Sequence, residues 1–197
     1  MRAPSLRYGA ALVVGKFCPL HLGHLWLIER ALAESDRVYV LTYTSLQAPG
    51  CEAAARQRWL DALLAPYGER ALGVVISPES CPPDEADAES HRLFCAGIAL
   101  ERGWALDAVF TSETYGDGFA VTLARVLGRG VSHVCVDLAR ARVPVSGTEL
   151  RAALALLLRD PLSPEGRGAL ERLRGGLPGV VFEDIIGARL LLSPLKT

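Results

Sequence analysis

The sequence predicts an α/β fold in which helices cover both faces of a doubly wound parallel sheet. Two observations carry this prediction. Short apolar runs alternate with longer amphipathic stretches along the chain, which is the order expected of parallel strands joined by helical crossovers. The run at residues 11–14, Ala-Leu-Val-Val, is apolar at every position, as strands buried on both faces are.

Each predicted strand is rich in Val, Ile, Leu or aromatic residues and stops near Gly, Pro, Ser or Asp. The strands are expected at residues 9–14, 38–43, 73–77, 108–111 and 131–136. The helices are expected at residues 22–33, 52–64, 88–102, 118–127 and 148–158. Because ligands of such sheets bind beyond the carboxyl ends of the strands, the loops that follow these strands should converge on one site.

The 197 residues are expected to form a single domain, with a core over about residues 8–160 and a C-terminal extension at 161–197. The extension offers a helix at residues 164–173 and two short apolar runs, at 180–182 and 190–192, which are compatible with a hairpin or an addition to the sheet edge. Residues 81–90 are acidic and contain two prolines, so we expect an exposed loop there.

The composition argues against several classes of partner. A net charge of −1, with 22% charged residues, gives no general attraction to nucleic acid or to an anionic membrane. No apolar run reaches the roughly 18 residues of a membrane span, and the N-terminus does not resemble a secretion signal. The five scattered cysteines, without a CxxC pair, suit a reducing compartment. The sequence thus predicts a cytoplasmic protein with no nucleic-acid or membrane partner, and it leaves open whether the chain forms a homo-oligomer.

The first candidate site follows the first predicted strand, where residues 15–24 read Gly-Lys-Phe-Cys-Pro-Leu-His-Leu-Gly-His. Gly15 permits a sharp turn with the backbone close to a ligand. The helix start beyond it offers N–H groups and a positive dipole end, which favour phosphate. His21 and His24 are three residues apart, so one helical turn can direct both imidazoles the same way, and Lys16 adds a cation. The segment therefore favours a triphosphate cradle, although it matches neither Walker A nor GxGxxG.

Two other interpretations of the histidine pair remain open on the residues alone. Both side chains could be capping or surface residues. An HxxH pair could also bind a metal, but without a third nearby ligand that pattern is weak, and no metal site is predicted. The position after a strand, a Gly-Lys pair and a proline favours phosphate.

The second candidate site opens the helix after the last predicted strand, at residues 146–151, Ser-Gly-Thr-Glu-Leu-Arg. Ser146 and Glu149 fit a capping box, which explains both residues without a ligand. Arg151 lies in the first helical turn, where a cation opposes the helix dipole. A bound phosphate would relieve that conflict, so the segment predicts a second phosphate-binding element. A third loop, residues 111–116, Thr-Ser-Glu-Thr-Tyr-Gly, is compatible with either a capped turn or a ligand-binding loop.

These segments resemble the motifs of a known superfamily. Residues 15–24 resemble the HxGH signature of the nucleotidyltransferases, in the form most similar to the NadR-type nicotinamide-mononucleotide adenylyltransferases. Residues 145–151 resemble the second superfamily motif, [IV]S[GS]TxxR, and residues 111–116 resemble the TSExYG segment. The likeness runs from about residue 13 to residue 151. It implies a Rossmann-like nucleotidyltransferase fold.

The resemblance also implies roles for individual residues. His21 and His24 would hold the ATP phosphates and stabilise the charge of the leaving pyrophosphate, assisted by Lys16 and Arg151. The nucleotide would further be bound by Gly15, Phe17, Gly23, Ser112, Ser146, Gly147 and Thr148. The phosphorylated acceptor would be bound by His91, Phe94, Glu113, Tyr115 and Arg140.

Two departures from the family pattern stand out. His91 occupies the position of a tryptophan that is expected to stack on the nicotinamide ring of relatives. A histidine can stack with a smaller area, and Phe94 or Trp104 could take its place; alternatively, His91 only begins a helix. The sequence also lacks the P-loop of the C-terminal kinase domain and the helix-turn-helix that some relatives carry, so kinase and repressor activities are not expected.

The reaction implied by the resemblance is transfer of AMP from ATP to nicotinamide mononucleotide. An in-line attack by the acceptor phosphate would give NAD and pyrophosphate, with Mg²⁺ held mainly by ATP oxygens. An alternative acceptor is phosphopantetheine or a polyol phosphate, with CTP as a further alternative to ATP. A non-catalytic nucleotide-binding sensor is the alternative from another class.

Overall fold

The parallel sheet predicted from the sequence is present in the computed structural model, which describes residues 6–46, 48–139 and 141–190. The strands are β1 (Tyr8–Gly15), β2 (Ser35–Thr42), β3 (Ala71–Val75), β4 (Ala108–Thr111) and β5 (Ser132–Cys135). They are all parallel, in the order β3-β2-β1-β4-β5. The predicted fold class is therefore confirmed. The chain moves outward from β1 to β3 and then returns to the other side of β1, so the strand order reverses between β1 and β4.

The four crossover helices and the helix after the last strand lie close to their predicted positions. They are α1 (Leu22–Glu34), α2 (Ala53–Leu64), α3 (Ala88–Glu101), α4 (Gly116–Leu127) and α5 (Gly147–Arg159). Each begins and ends within two residues of its predicted bounds. Short 3₁₀ segments at Ala65–Arg70 and Pro78–Ser80 flank β3. None of the helices in the described part of the chain has both the length and the hydropathy that a membrane crossing requires.

The two faces of β1 belong to two different hydrophobic cores. Ala11 and Val13 pack with residues of α1, α2 and α5. Leu12 and Val14 pack with residues of α3 and α4 on the opposite face. All four side chains are buried, which explains why this strand is apolar at every position rather than alternating.

The described part of the C-terminal extension, residues 161–190, contains two helices, α6 (Pro164–Gly176) and α7 (Gly179–Leu190). The helix predicted at 164–173 is confirmed, and Ser163 caps it by accepting a hydrogen bond from the Gly166 N–H at 2.9 Å. The hairpin or edge strand considered for residues 180–182 is wrong, since they lie in α7. Their apolar character continues at Ile185, one helical turn beyond Val181, and both are buried in the core beside α2. Of the run at 190–192, residue 190 ends α7 and the other two lie outside the described residues.

The segment at residues 81–90 is only partly the exposed loop that its composition indicated. The helix α3 begins at Ala88, and the Asp87 carboxylate caps it by accepting hydrogen bonds from the backbone N–H groups of Glu89 and Ser90, at 2.9 and 3.0 Å. The Asp84 side chain is only 15% exposed, because it turns inward toward the carboxyl end of β1. Acidic residues and prolines predicted a turn here, but they could not show that one carboxylate has a partner elsewhere in the fold.

Candidate active site

A cavity of about 460 Å³ opens at the carboxyl ends of β1 and β4, where the strand order reverses. This is the position at which open α/β sheets bind ligands, and the volume falls in the range of small-molecule sites. Most of the residues predicted for the site line this cavity: Gly15, Lys16, Phe17, His21, Gly23, His24, Ser112, Glu113, Tyr115, Ser146, Gly147, Thr148 and Arg151.

The two histidines of the first segment lie face to face at the start of α1. Their rings stack with centroids 3.6 Å apart and an interplanar angle of 21°. The Nδ1 atom of His24 accepts a hydrogen bond from the backbone N–H of His21 at 3.3 Å. Because Nδ1 is an acceptor here, the neutral His24 ring carries its proton on Nε2. His24 can therefore donate a hydrogen bond from Nε2 without being a cation.

Gly15 makes room for an aromatic ring that supports this stack. Phe17 is 1% exposed, has a left-handed φ of 46°, and makes an edge contact with His24 at a centroid distance of 4.6 Å. A Cβ at Gly15 would lie 2.6 Å from the Cε1 atom of Phe17. The sequence indicated a glycine needed for a tight turn, whereas the structure shows a glycine needed because the Phe17 ring folds back against it.

Gly15→Ala is expected to destabilise the protein by about 1–3 kcal/mol, the usual cost of overpacking, because the buried Phe17 ring has little room to move. The matched control is Gly97→Ala on α3, where a Cβ would meet nothing within 4 Å. The control is expected to be neutral or to stabilise the helix by up to about 1 kcal/mol. Urea unfolding of both variants checks the prediction, and equal effects would contradict it.

The second segment begins α5 and is capped as predicted. The Ser146 hydroxyl accepts a hydrogen bond from the Glu149 N–H at 3.2 Å and donates one to the Glu149 carboxylate at 2.9 Å. The serine half of the predicted capping box is therefore present, whereas the Glu149 carboxylate accepts from the Ser146 hydroxyl in place of the Ser146 backbone N–H. This leaves the N-terminal end of α5 directed at the cavity, next to Gly147 and Thr148.

Arg151 connects the two segments. Its Nη1 donates to the carbonyl oxygen of Cys18 at 2.7 Å, and its Nη2 donates to the Thr148 hydroxyl at 3.1 Å. A Cβ at Gly147 would lie 3.1 Å from Arg151 Nη1 and 3.9 Å from His21 Cδ2, so the guanidinium and the imidazole pair share one wall of the cavity. The sequence argument held that a bound phosphate would offset the unfavourable position of Arg151 in the first helical turn. The structure shows that the Cys18 carbonyl already accepts one of its hydrogen bonds.

Lys16 is held by a carboxylate that the sequence analysis missed. Its Nζ lies 2.6 Å from the Asp84 carboxylate, which also accepts from the Thr44 hydroxyl at 3.1 Å and the Ser45 N–H at 2.9 Å. Burial acts to raise the pKa of Asp84, but the Lys16 ammonium and these hydrogen bonds outweigh it and lower that pKa below its ordinary value. Lys16 is thus one half of an ion pair rather than a lone cation.

Asp84→Asn is expected to destabilise the fold by about 1.5–3 kcal/mol at neutral pH, because hydrogen bonds and an ion pair to a carboxylate are lost. Since the folded pKa is lowered, this contribution is present above the unfolded pKa of about 3.9 and is lost as pH falls through the folded value. The difference in unfolding free energy between wild type and variant should therefore be smaller at about pH 3 than at about pH 7, and should keep shrinking at lower pH. Asp61→Asn, which changes an exposed aspartate bonded to Gln57, is the control; a pH-independent gap for Asp84→Asn would contradict the prediction.

A second cavity, of about 350 Å³, adjoins the first and shares Val14, Gly15, Lys16 and Tyr115 with it. His91 lines this second cavity, and its ring lies against Tyr43, with centroids 5.7 Å apart and the Tyr43 hydroxyl 3.1 Å from Nδ1. His91 therefore lines a cavity. The alternative interpretation, in which His91 only begins a helix, did not predict this position.

The other aromatic residues considered for the acceptor have different positions. Phe94 makes an edge contact with Tyr43 at 5.0 Å and supports it without lining the cavity. Trp104 is 5% exposed and stacks on Tyr39 in the core, so the proposal that it could replace the missing tryptophan is wrong. Tyr43, which ends a predicted strand, was the aromatic that the sequence analysis overlooked. Arg140 lies outside the described residues.

Asp137 organises the loop that leads into α5. Its φ is 54°, and its carboxylate accepts hydrogen bonds from the backbone N–H groups of Ala141, Arg142 and Val143, at 2.9, 3.1 and 3.3 Å. This carboxylate therefore shapes one rim of the first cavity, which Asp137 also lines. The sequence offered a signal for it, since aspartate commonly binds backbone N–H groups in turns.

The sheet order, the helices on both faces and the cavity at the reversal of strand order are together those of the Rossmann-like fold found in nucleotidyltransferases. The chain is similar in structure to TmcAL of Thermotoga maritima bound with alpha-thio ATP, with a TM-score of 0.61, 14% identity, and coverage of 91% of this chain and 55% of that one. It is also similar to NadR in complex with NR, with a TM-score of 0.54, 17% identity, and coverage of 75% and 42%. A third similar structure is the nicotinic acid mononucleotide adenylyltransferase of Plasmodium falciparum, with a TM-score of 0.53, 8% identity, and coverage of 96% and 100%.

The chain spans about half the length of TmcAL and of NadR. No family model matches the chain, and no curated protein matches it in sequence. At these identities the comparisons establish the fold.

Proposed function

We propose that the protein is a nucleotidyltransferase that transfers AMP from ATP to the phosphate of nicotinamide mononucleotide, giving NAD and pyrophosphate. The observation that carries the proposal is the hydrogen bond from Arg151 to the Cys18 carbonyl. It joins the His21–His24 segment and the start of α5 around one cavity. The similar structures that contain alpha-thio ATP and NR support a nucleotide as the occupant.

The first cavity suits a polyphosphate chain. The N-terminal ends of α1 and α5 both border it, and helix N-termini attract anions through their backbone N–H groups and dipole. His24 adds a donor at Nε2, and Arg151 adds a fixed cation. In the proposal these groups hold the β- and γ-phosphates of ATP.

Lys16 lies at the boundary between the two cavities. The α-phosphate of ATP and the phosphate of the acceptor must meet at such a boundary if each cavity holds one substrate. The Lys16 ammonium would then stabilise charge on both phosphates, while Asp84 keeps it in position. The acceptor ring would occupy the second cavity, beside His91 and Tyr43.

The chemistry proposed is a direct in-line displacement. An oxygen of the acceptor phosphate forms a bond to the α-phosphorus of ATP, the bond from that phosphorus to the bridging oxygen of the β-phosphate breaks, and pyrophosphate leaves. The attacking phosphate is already ionised, so no covalent enzyme intermediate is needed and catalysis consists of positioning and charge stabilisation. His24 and Arg151 would bind the leaving pyrophosphate most strongly as its charge develops.

A Mg²⁺ ion is expected to accompany ATP. Within residues 6–46, 48–139 and 141–190, no group of three or more His, Cys, Asp or Glu side chains could hold a metal ion. In the proposal the ion enters with the nucleotide and is bound mainly by phosphate oxygens, as Mg²⁺ commonly is. When bound, it would neutralise part of the triphosphate charge.

The test is an acceptor screen with purified protein, Mg²⁺ and either ATP or CTP. Nicotinamide mononucleotide, phosphopantetheine and a polyol phosphate are supplied separately, pyrophosphate release is followed, and products are identified by mass spectrometry. The proposal expects NAD and pyrophosphate only with ATP and the pyridine nucleotide. Pyrophosphate with another acceptor would reassign the substrate. Thermal stabilisation by ATP without pyrophosphate from any acceptor would indicate a non-catalytic sensor.

A further inference from the structure

The described residues that line the second cavity carry a net positive charge. Of the described residues that line it, three are charged: Lys16, Asp84 and Arg92. Lys16 and Asp84 form an ion pair with a separation of 2.6 Å, so the pair adds no net charge to the cavity, although the Lys16 ammonium keeps further N–H donors for a phosphate. Arg92 is left as the source of a net positive charge in a wall that is otherwise apolar or aromatic.

The ion pair that Arg92 makes within the described residues is a long one. Its ion-pair partner, Glu89, lies 3.7 Å away, while the same carboxylate is 2.6 Å from Arg125 and accepts from the Thr122 hydroxyl at 3.1 Å. The Arg92 side chain is 23% exposed. A guanidinium that is mostly withdrawn from water and shares a distant carboxylate is well suited to bind a further anion, preferably a planar one.

The guanidinium lies against the neighbouring helix. A Cβ at Gly118 would lie 2.4 Å from the Arg92 Cζ, so the side chain lies directly across α4 where that helix has no side chain. Arg92 and His91 are adjacent at the start of α3, and both line the cavity. The cation therefore lies at the edge of the aromatic wall formed by His91 and Tyr43.

The location of Arg92 indicates which end of an acceptor it would meet. Gly15, Lys16 and Tyr115 line both cavities, whereas Arg92 lines only the second. The acceptor phosphate must lie at the shared wall to reach ATP, so Arg92 faces the part of the acceptor that lies beyond it. An aromatic wall with a cation at its edge fits a planar ring that bears a carboxylate.

We propose that the acceptor site selects a pyridine mononucleotide whose ring carries a carboxylate rather than a carboxamide, and that Arg92 pairs with that carboxylate. This inference rests on the proposed function, AMP transfer from ATP to the phosphate of a pyridine mononucleotide, and it changes the preferred acceptor from the nicotinamide form to the nicotinic acid form. Nicotinic acid mononucleotide should therefore be a better acceptor than nicotinamide mononucleotide, which has the same phosphate and ribose and differs only in the ring substituent.

The test compares kcat/KM for these two nucleotides with ATP in the wild type and in three variants. The wild type should favour the carboxylate form by about tenfold or more, the value of one charge-assisted hydrogen bond. Arg92→Gln should remove most of that preference by lowering kcat/KM for the carboxylate form alone, and Arg92→Lys should retain part of it. Arg102→Gln removes an exposed arginine at the C-terminal end of the same helix, which does not line the cavity, and it should leave the preference unchanged.

Each contrary outcome has its own meaning. The inference is overturned if the wild type prefers the carboxamide form. It is also overturned if Arg92→Gln and Arg92→Lys each lower kcat/KM equally for both nucleotides, because equal loss would place Arg92 at the phosphate. If neither nucleotide yields pyrophosphate, the proposed function fails, and calorimetric binding of the two nucleotides tests the inference by itself. Tighter binding of the carboxylate form that Arg92→Gln abolishes supports it, and equal binding overturns it.

Discussion

Replacing His24 with alanine is expected to lower kcat of the proposed transfer by about 10²- to 10³-fold, the cost of removing one preorganised donor from a charge-stabilising site. The Nδ1 atom of His24 is engaged by the backbone N–H of His21, which orients Nε2 as the donating atom. That donor would bind the leaving pyrophosphate as its charge develops. Initial rates at saturating ATP and acceptor measure the effect.

Two further variants separate catalysis from helix capping at this position. His24→Asn places an acceptor near the position of Nδ1 and so retains the bond to His21, but it lacks a donor at the position of Nε2. His24→Gln places an amide donor near Nε2. We expect the asparagine variant to be as inactive as the alanine variant and the glutamine variant to recover part of the rate. An active His24→Asn variant with a normal melting temperature would show that His24 only caps α1.

Replacing Arg151 with alanine is expected to lower kcat/KM by about 10³-fold or more, because a cation bound to the developing charge is lost along with the contact that joins the two motif segments. The Cys18 carbonyl and the Thr148 hydroxyl both lose their guanidinium donor. Stability should fall by about 1–3 kcal/mol at the same time. Steady-state kinetics and urea unfolding, measured on the same preparation, give the two effects.

The control for this variant lies at the other end of the same helix. Arg159 is an exposed basic residue in the last turn of α5, and Arg159→Ala should change activity little and stability by less than about 1 kcal/mol. Arg151→Lys keeps the charge but cannot donate to both partners in the planar geometry of a guanidinium. It should therefore remain at least about tenfold impaired. Full activity of Arg151→Ala would remove the basis of the proposed phosphate site.

The parts of the fold that were predictable from the sequence are those specified locally. Apolar runs such as residues 11–14 identify buried strands wherever they lie in the chain, and the helices between them have clear periodicity. The two segments proposed to bind phosphate were recognisable for the same reason, since each is a short motif at a strand-to-helix junction. The parallel sheet was predictable because strands and helices alternate along the chain.

The errors arose where a residue's environment depends on distant parts of the chain. Asp84 reaches Lys16 across 68 positions, and nothing in its own loop indicates that contact. Trp104 has a side chain that could stack on a ligand, yet its ring stacks on Tyr39 in the core. The run at 180–182 was too short to distinguish a strand from one turn of a helix, and only its burial against α2 decides the question.

The bond between Arg151 and Cys18 spans 133 positions of the chain. On the ribosome, a nascent polypeptide that has emerged only as far as β5 already contains every strand of the sheet. It still lacks Arg151, whose hydrogen bond to Cys18 joins α5 to the loop after β1. If the protein binds a nucleotide as proposed, it can do so only late in biosynthesis, after residue 151 has left the exit tunnel.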